Sequence, residues 1–229
     1  MFRLAMFRLA FALVLLGLAA SSQAGRPLQA EDAGVIEVRA CEVEGMQANR
    51  RGGGADQRQR SLQLGCGIAP GWELALQALR PNELVLAGKV QLLAAPWRAG
   101  EAQVTLVWTL AHRRTEFDWD RSSLGLTLAA SLPVTRDWTV HANLGHLRDE
   151  LLSEDSLGWA LAVEHAGLGE DGRWQPMAEV FGDDRHRPWV NAALRLVLQP
   201  GRLFVDASAG RQLGGARARL TTFGFKWAF

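Results

Sequence analysis

The chain has 229 residues, 48% of them hydrophobic, and its 25 Lys and Arg nearly balance 24 Asp and Glu for a formal charge of +1. That balance argues against a nucleic-acid binder, and the length suits one domain. Two cysteines without a CxxC or HExxH spacing point to no metal site, and no phosphate loop suggests a cofactor.

Residues 1–24 read as a secretory signal. Arg3 and Arg8 form the basic start, Phe11 to Ala20 the apolar core, and Ser22-Gln23-Ala24 a small-x-small cleavage site before Gly25. The apolar run is too short for a spanning helix. Removing the two arginines takes the charge from +1 to −1. Residues 25–229 then break into segments of about ten residues bounded by Gly, Pro, Asp and Asn, as in a transmembrane barrel. The pattern predicts strands at 34–43, 58–68, 72–80, 83–93, 102–113, 123–132, 137–147, 156–166, 173–182, 188–199, 202–211 and 218–229. The expected fold is therefore all-β: an antiparallel transmembrane β-barrel of about 12 strands following a cleaved signal peptide.

With both termini in the periplasm, alternate connections should be short. Ala69-Pro-Gly71, Pro133 to Arg136 and Gln199 to Arg202 fit, while Gly45 to Gln57, Arg114 to Ser122 and Arg148 to Ser156 supply longer outer loops. Arg80-Pro-Asn82 is short for an outer loop, and 94–101 is long for an inner turn.

Strand parity assigns the faces. Val190, Ala192, Leu194, Leu196 and Leu198 point to lipid on one strand; Val104, Leu106, Trp108 and Leu110, and Leu124, Leu126 and Leu128, do so on two others. Nine Trp and no Tyr leave tryptophan to supply the interfacial belt: Trp72, Trp97, Trp138, Trp174 and Trp227 at the periplasmic boundary, with Phe229, and Trp189 at the outer one. The same parity turns Glu37, Arg39, Glu73, Lys89, Glu164, Glu179, Arg195, Asp206 and Lys226 inward, where facing lipid would be costly. Such charges either select solutes along a pathway or form a salt-bridged plug that holds a narrow barrel rigid.

The histidines suggest no catalytic site. His141 and Asn143 point inward, no Ser lies in a matching His-x-Ser arrangement, and His186 sits in a charged loop, Asp183 to Arg187. Cys41 and Cys66 fall on the first two strands and could form one disulfide in an oxidising compartment. Simple alternation puts Cys41 inward and Cys66 outward, so a bulge at Gly65 or Gly67 would have to restore matching faces.

The final strand, Thr221 to Phe229, carries rings at 223, 225, 227 and 229. It is the expected closing strand, paired with residues 34–43, and the segment through which barrel-assembly machinery would act. Together with His141-Ala-Asn-Leu-Gly145, Ala178-Glu-Val-Phe-Gly182 and Leu194 through Gly210, it resembles an outer-membrane family labelled as a component of phenol meta-pathway degradation and as a transporter. The resemblance covers about the last hundred residues and implies a barrel passing small molecules, aromatic ones among them. It transfers no binding residues; Glu179 and Asn143 lie in the matched segments and face the lumen. The expected function is a channel in the bacterial outer membrane, not an enzyme, with membrane lipid and a small solute as partners. A blocked structural barrel, and behind it a lipid-facing hydrolase, are the alternatives.

Overall fold

A computed structural model describes residues 27–52, 56–116, 118–169, 171–214 and 218–229. The proposed signal at 1–24 lies outside them. Twelve strands, β1 (Cys41–Arg51), β2 (Gln57–Ala69), β3 (Trp72–Arg80), β4 (Glu83–Trp97), β5 (Gly100–Arg114), β6 (Trp119–Pro133), β7 (Trp138–Asp149), β8 (Glu154–His165), β9 (Trp174–Asp183), β10 (Trp189–Gln199), β11 (Leu203–Gln212) and β12 (Arg219–Ala228), form one closed antiparallel barrel. Each strand pairs with its sequence neighbours, and β12 closes on β1 from Glu42↔Ala228 to Arg51↔Arg219. Closure leaves no unpaired edge, which is what lets β-structure cross hydrocarbon.

Alternation divides the two faces as expected. Leu62, Leu64, Leu74, Leu76, Leu124, Leu126, Leu128, Leu194, Phe223 and Phe225 are exposed on the outside. In water such a continuous apolar surface would drive association; in a bilayer it is the lipid contact. Trp72, Trp97, Trp138, Trp174, Trp227 and Phe229 are exposed at the end that carries the C-terminus, and the Trp227 and Phe229 rings lie 5.0 Å apart. The barrel is thus of the outer-membrane type.

The first predicted strand is corrected. Residues 34–43 do not form it; β1 starts at Cys41 and runs to Arg51, which shortens the expected 45–57 loop to residues 52–56. Residues 27–40 form an extended segment that enters the barrel. Its entry is pinned at Gly67, where Arg39 donates its N–H to the Gly67 carbonyl at 3.2 Å and Gly67 N–H reaches the Ala40 carbonyl at 3.1 Å. A Cβ at Gly67 would collide with the backbone carbonyls of Ile36 and Glu37, so only glycine permits this approach.

The shift of β1 corrects three further expectations. Glu37 and Arg39 do not face the lumen from a strand; both are exposed in the turn before β1. Glu42 and Glu44 take the inner positions instead, at 7% and 6% exposure. Cys41 sits directly opposite Cys66, on the same face, and the two are bonded without a bulge between β1 and β2. The irregularity at Gly67 belongs to the β2–β3 pairing, beyond the disulfide.

The long inner turn expected at 94–101 is also shorter, because β4 and β5 extend to Trp97 and Gly100. Conversely, the connection from His165 to Trp174 is the longest at the terminal end, stapled where Leu168 N–H donates to the Trp174 carbonyl at 2.7 Å.

Candidate functional site

The N-terminal segment crosses the lumen. An extended chain inside a barrel has no neighbouring strand, so its backbone groups need side-chain partners. The wall supplies them in strand order. Glu73 on β3 accepts from Ile36 N–H at 3.1 Å. Lys89 on β4 donates to the Asp32 and Gly34 carbonyls at 3.3 and 3.4 Å, and its ammonium lies 3.5 Å from Glu31 and 3.7 Å from Asp32. On β5 Thr105 donates to the Ala33 carbonyl at 2.5 Å, and on β6 Ser131 Oγ accepts from Ala33 N–H at 2.8 Å. Asn143 on β7 makes a reciprocal pair with the Glu31 backbone, accepting at 2.6 Å and donating at 2.8 Å. Glu179 on β9 accepts from Gln29 N–H with both oxygens, at 2.9 and 2.8 Å, and from Ala30 N–H at 2.9 Å, while Asn191 on β10 donates to it at 2.8 Å.

Apolar contacts complete the docking. Leu28 and Ala30 join Ala160, Ala162, Met177 and Ala193 in one buried cluster, and Ala33 packs between Val107 and Ala129 in another. The small alanines on the wall make room for a chain, where larger residues would fill a lumen of this width.

The other arc of the lumen is filled by side chains. Arg195 faces Asp206 at 3.4 Å with only 2% of the arginine exposed. Lys226 lies 2.6 Å from Glu42 and 3.4 Å from Glu44, and the hydroxyls of Ser208 and Thr222 are 2.7 Å apart. Glu73, Lys89, Asn143, Glu164, Glu179, Arg195, Asp206 and Lys226 are thus all on the inner face, but the structure divides them. Glu73, Lys89, Asn143 and Glu179 hold the segment, and the rest pair within the wall.

Glu164 belongs to a third arrangement. His141 is fully buried, with Nδ1 2.9 Å from Ser131 Oγ and Nε2 3.4 Å from Glu164. Ser131 faces His141 directly, and Glu164, whose own register partner is Thr139, reaches His141 diagonally, a row the linear sequence conceals. The same serine oxygen holds Ala33 N–H, so the row ends on the segment. Ser131 is buried beneath it. Among the described residues no group of His, Cys, Asp and Glu is placed to hold a metal ion.

Beyond the segment, toward the end opposite the termini, lies a cavity of about 410 Å³. Gln29, Glu31 and Asn143 floor it, and Thr109, Gly125, Thr127, Gly145 and Gly158 give it width. Phe181 and Trp189 line one side with rings stacked at 6.2 Å and 8°, and the Arg50 guanidinium lies over Trp189 at 5.3 Å. Trp189 is therefore not an interfacial residue: it shares the inward parity of Asn191 and Arg195 and is 9% exposed. At that end Trp119 and Trp159 are the exposed tryptophans.

No family model and no curated protein matches the sequence. Solved structures share its fold. An outer membrane channel from Pseudomonas putida F1 aligns over 88% of this chain and 100% of its own, at 10% identity and a TM-score of 0.61. The KdgM porin in complex with disordered oligogalacturonate aligns over 82% and 99%, at 9% identity and 0.58. The NanC porin aligns over 81% and 98%, at 11% identity and 0.56. At such identities the likeness establishes a common barrel architecture, and this barrel, with its apolar outer band, is a protein of the bacterial outer membrane.

Proposed function

We propose that the chain is an outer-membrane channel for small solutes whose passage is governed by its own N-terminal segment. The observation that carries this reading is a cavity open at one end and floored, at mid-barrel, by a peptide held through hydrogen bonds rather than by the wall itself. A peptide held this way can leave without unfolding the barrel. The solved channels of the same fold support passage of small solutes, and the KdgM porin was captured with an oligogalacturonate. Aromatic solutes are favoured here by the Phe181–Trp189 stack and the Arg50 cation beside it, which suit a planar anion. This is also the support for membership of the phenol meta-pathway family. The chain is read as carrying no catalysis, Ser131, His141 and Glu164 serving to anchor the segment.

Cleavage after Ala24 belongs to the same proposal. It leaves Gly25 and Arg26 ahead of Pro27, the first of the described residues. The mature barrel then begins at residue 25, and β12 is the segment offered to assembly machinery. Intact mass of the membrane-extracted protein tests the cleavage site.

A permanently blocked structural barrel is the second reading, favoured by the number of wall residues that hold the segment. Liposome swelling separates the two. The channel reading expects slow solute entry through the full mature chain and fast entry when Glu179 and Asn143 are both alanine. No entry through either protein above that of empty vesicles would establish the blocked barrel.

A further inference from the structure

The outer face carries a second feature. Above the lipid band, at the end away from the termini, six exposed arginines follow one another across five strands: Arg211 on β11, Arg219 on β12, Arg51 on β1, Arg58 and Arg60 on β2, and Arg80 on β3. Register makes them neighbours. Arg211 pairs with Arg219, Arg219 with Arg51, and Arg60 with Arg80. Arg58 faces Asn49, one position diagonal from Arg51. All share the outward parity of Phe223, Leu62 and Leu76. Like charges directly opposite on a sheet repel, so this arc is unfavourable by itself.

Elsewhere on the same rim three arginines are matched: Arg121 with Glu150 at 3.1 Å, Arg148 with Asp155 at 2.7 Å, and Arg185 with Glu154. Among the described residues none of the six arginines has an acidic partner. Gln47 instead accepts from both Arg58, at 2.7 Å, and Arg60, at 3.2 Å, which fixes two guanidiniums side by side.

A groove of about 340 Å³ adjoins the arc on the outer surface. Val190, Ala192 and Ala209 form its apolar part, and Arg211 and Arg219 its rim. The paired alanines Ala192 and Ala209 make a notch beside the larger Leu194 and Phe223. An apolar groove capped by two guanidiniums at the edge of the lipid band fits an acyl chain below a phosphate.

We propose that this arc binds a phosphorylated glycolipid of the outer leaflet, with two phosphates on the arginines and one acyl chain in the groove. Arginine forks match phosphate oxygens bidentately. Five strands span four interstrand spacings of ~4.8 Å, about 19 Å. That width accommodates two phosphates of one headgroup, whereas a glycerophospholipid would engage only one end. The proposal rests on the outer-membrane placement with periplasmic termini, and not on the lumen conducting.

The test is native mass spectrometry of the full mature barrel released from detergent, titrated separately with hexa-acyl bisphosphoryl lipid A, its dephosphorylated form and dioleoylphosphatidylglycerol. Bisphosphoryl lipid A should bind at least tenfold more tightly than either other lipid. The triple variant Arg51→Gln, Arg211→Gln, Arg219→Gln should lose tenfold or more of that affinity. Arg60→Gln with Arg80→Gln, a second variant at the far end of the arc, should lose severalfold. Arg121→Gln with Arg148→Gln, on the matched side, should stay within twofold of the parent. Equal binding of phosphatidylglycerol, unchanged binding in both arc variants, or an equal loss in the matched-side control would each overturn the assignment. Because the readout is binding, a barrel that passes no solute can still satisfy it.

Discussion

Replacing Glu179 by alanine should release the N-terminal segment while leaving the barrel intact. The buried carboxylate accepts the N–H groups of Gln29 and Ala30, and these two donors have no other acceptor in the strand ladder. Hydrogen bonds to a charged group contribute about 1.5–3 kcal/mol each, so losing two removes roughly 3–6 kcal/mol from the docked state. The released segment regains water for both groups. At about 1.4 kcal/mol per factor of ten, the ratio of undocked to docked segment should rise roughly 10²- to 10⁴-fold. Hydrogen–deuterium exchange of the peptide covering residues 27–36 reads that ratio directly, because the amides exchange on undocking. Asn191→Ala is the internal control. It removes the 2.8 Å bond that orients Glu179 but leaves both backbone donors satisfied, so exchange should rise by about tenfold or less. Unchanged exchange in Glu179→Ala, or a change no larger than in Asn191→Ala, would refute the view that this carboxylate holds the segment in place.

Three other outcomes are expected. Lys89→Ala strands the buried Asp32 carboxylate, 3.7 Å from the lost ammonium; removing one partner of a buried pair costs about 3–5 kcal/mol, and adding Asp32→Asn should restore most of it in urea unfolding of the folded barrel in detergent. Failure of the second substitution to rescue would show that the pair is not the source. Serine at both Cys41 and Cys66 opens a loop of sequence separation 25, worth about 3.5 kcal/mol on a chain-entropy estimate; the temperature at which the folded electrophoretic band disappears should fall, to the value the parent shows under reduction. Leucine at Gly158 projects into the cavity, where nothing lies closer than 3.9 Å to its first carbon; solute entry through the Glu179→Ala, Asn143→Ala barrel should drop severalfold with an unaltered melting temperature, and undiminished entry would place the pathway elsewhere.

Eleven strands and the outward faces were legible because lipid and lumen impose a period of two on nearly every residue between turns. Leu124, Leu126 and Leu128, or Val104, Leu106 and Trp108, state their side without reference to the rest of the chain. Trp189 follows the parity of its own strand, set by Asn191 and Arg195, against the general preference of tryptophan for the membrane interface. The Ser131, His141 and Glu164 row could not be read at all: it depends on register between β6, β7 and β8, and register is set by closure of the whole barrel.

The first strand failed for a different reason. Gly34-Val-Ile-Glu-Val-Arg-Ala-Cys-Glu-Val43 alternates as a strand does, and the chain there is indeed extended. What distinguishes a strand from a lumen segment is the partner of its backbone, and that information lies on other residues. Asn143 is an inward polar group whose cross-strand neighbours, Ala129 and Ala160, offer it no partner, and Glu179 meets Ala162 on one side and only the neutral Asn191 amide on the other. Arg195 and Asp206 show the contrasting case, a charge answered directly by its cross-strand neighbour. A buried acceptor that the wall leaves unanswered must find a donor in the lumen, and the extended residues just before β1 bring unpaired N–H groups. The inward charges therefore carry two messages, pairs that rigidify the wall and singles that call for a chain, and the singles are the ones a gate would use.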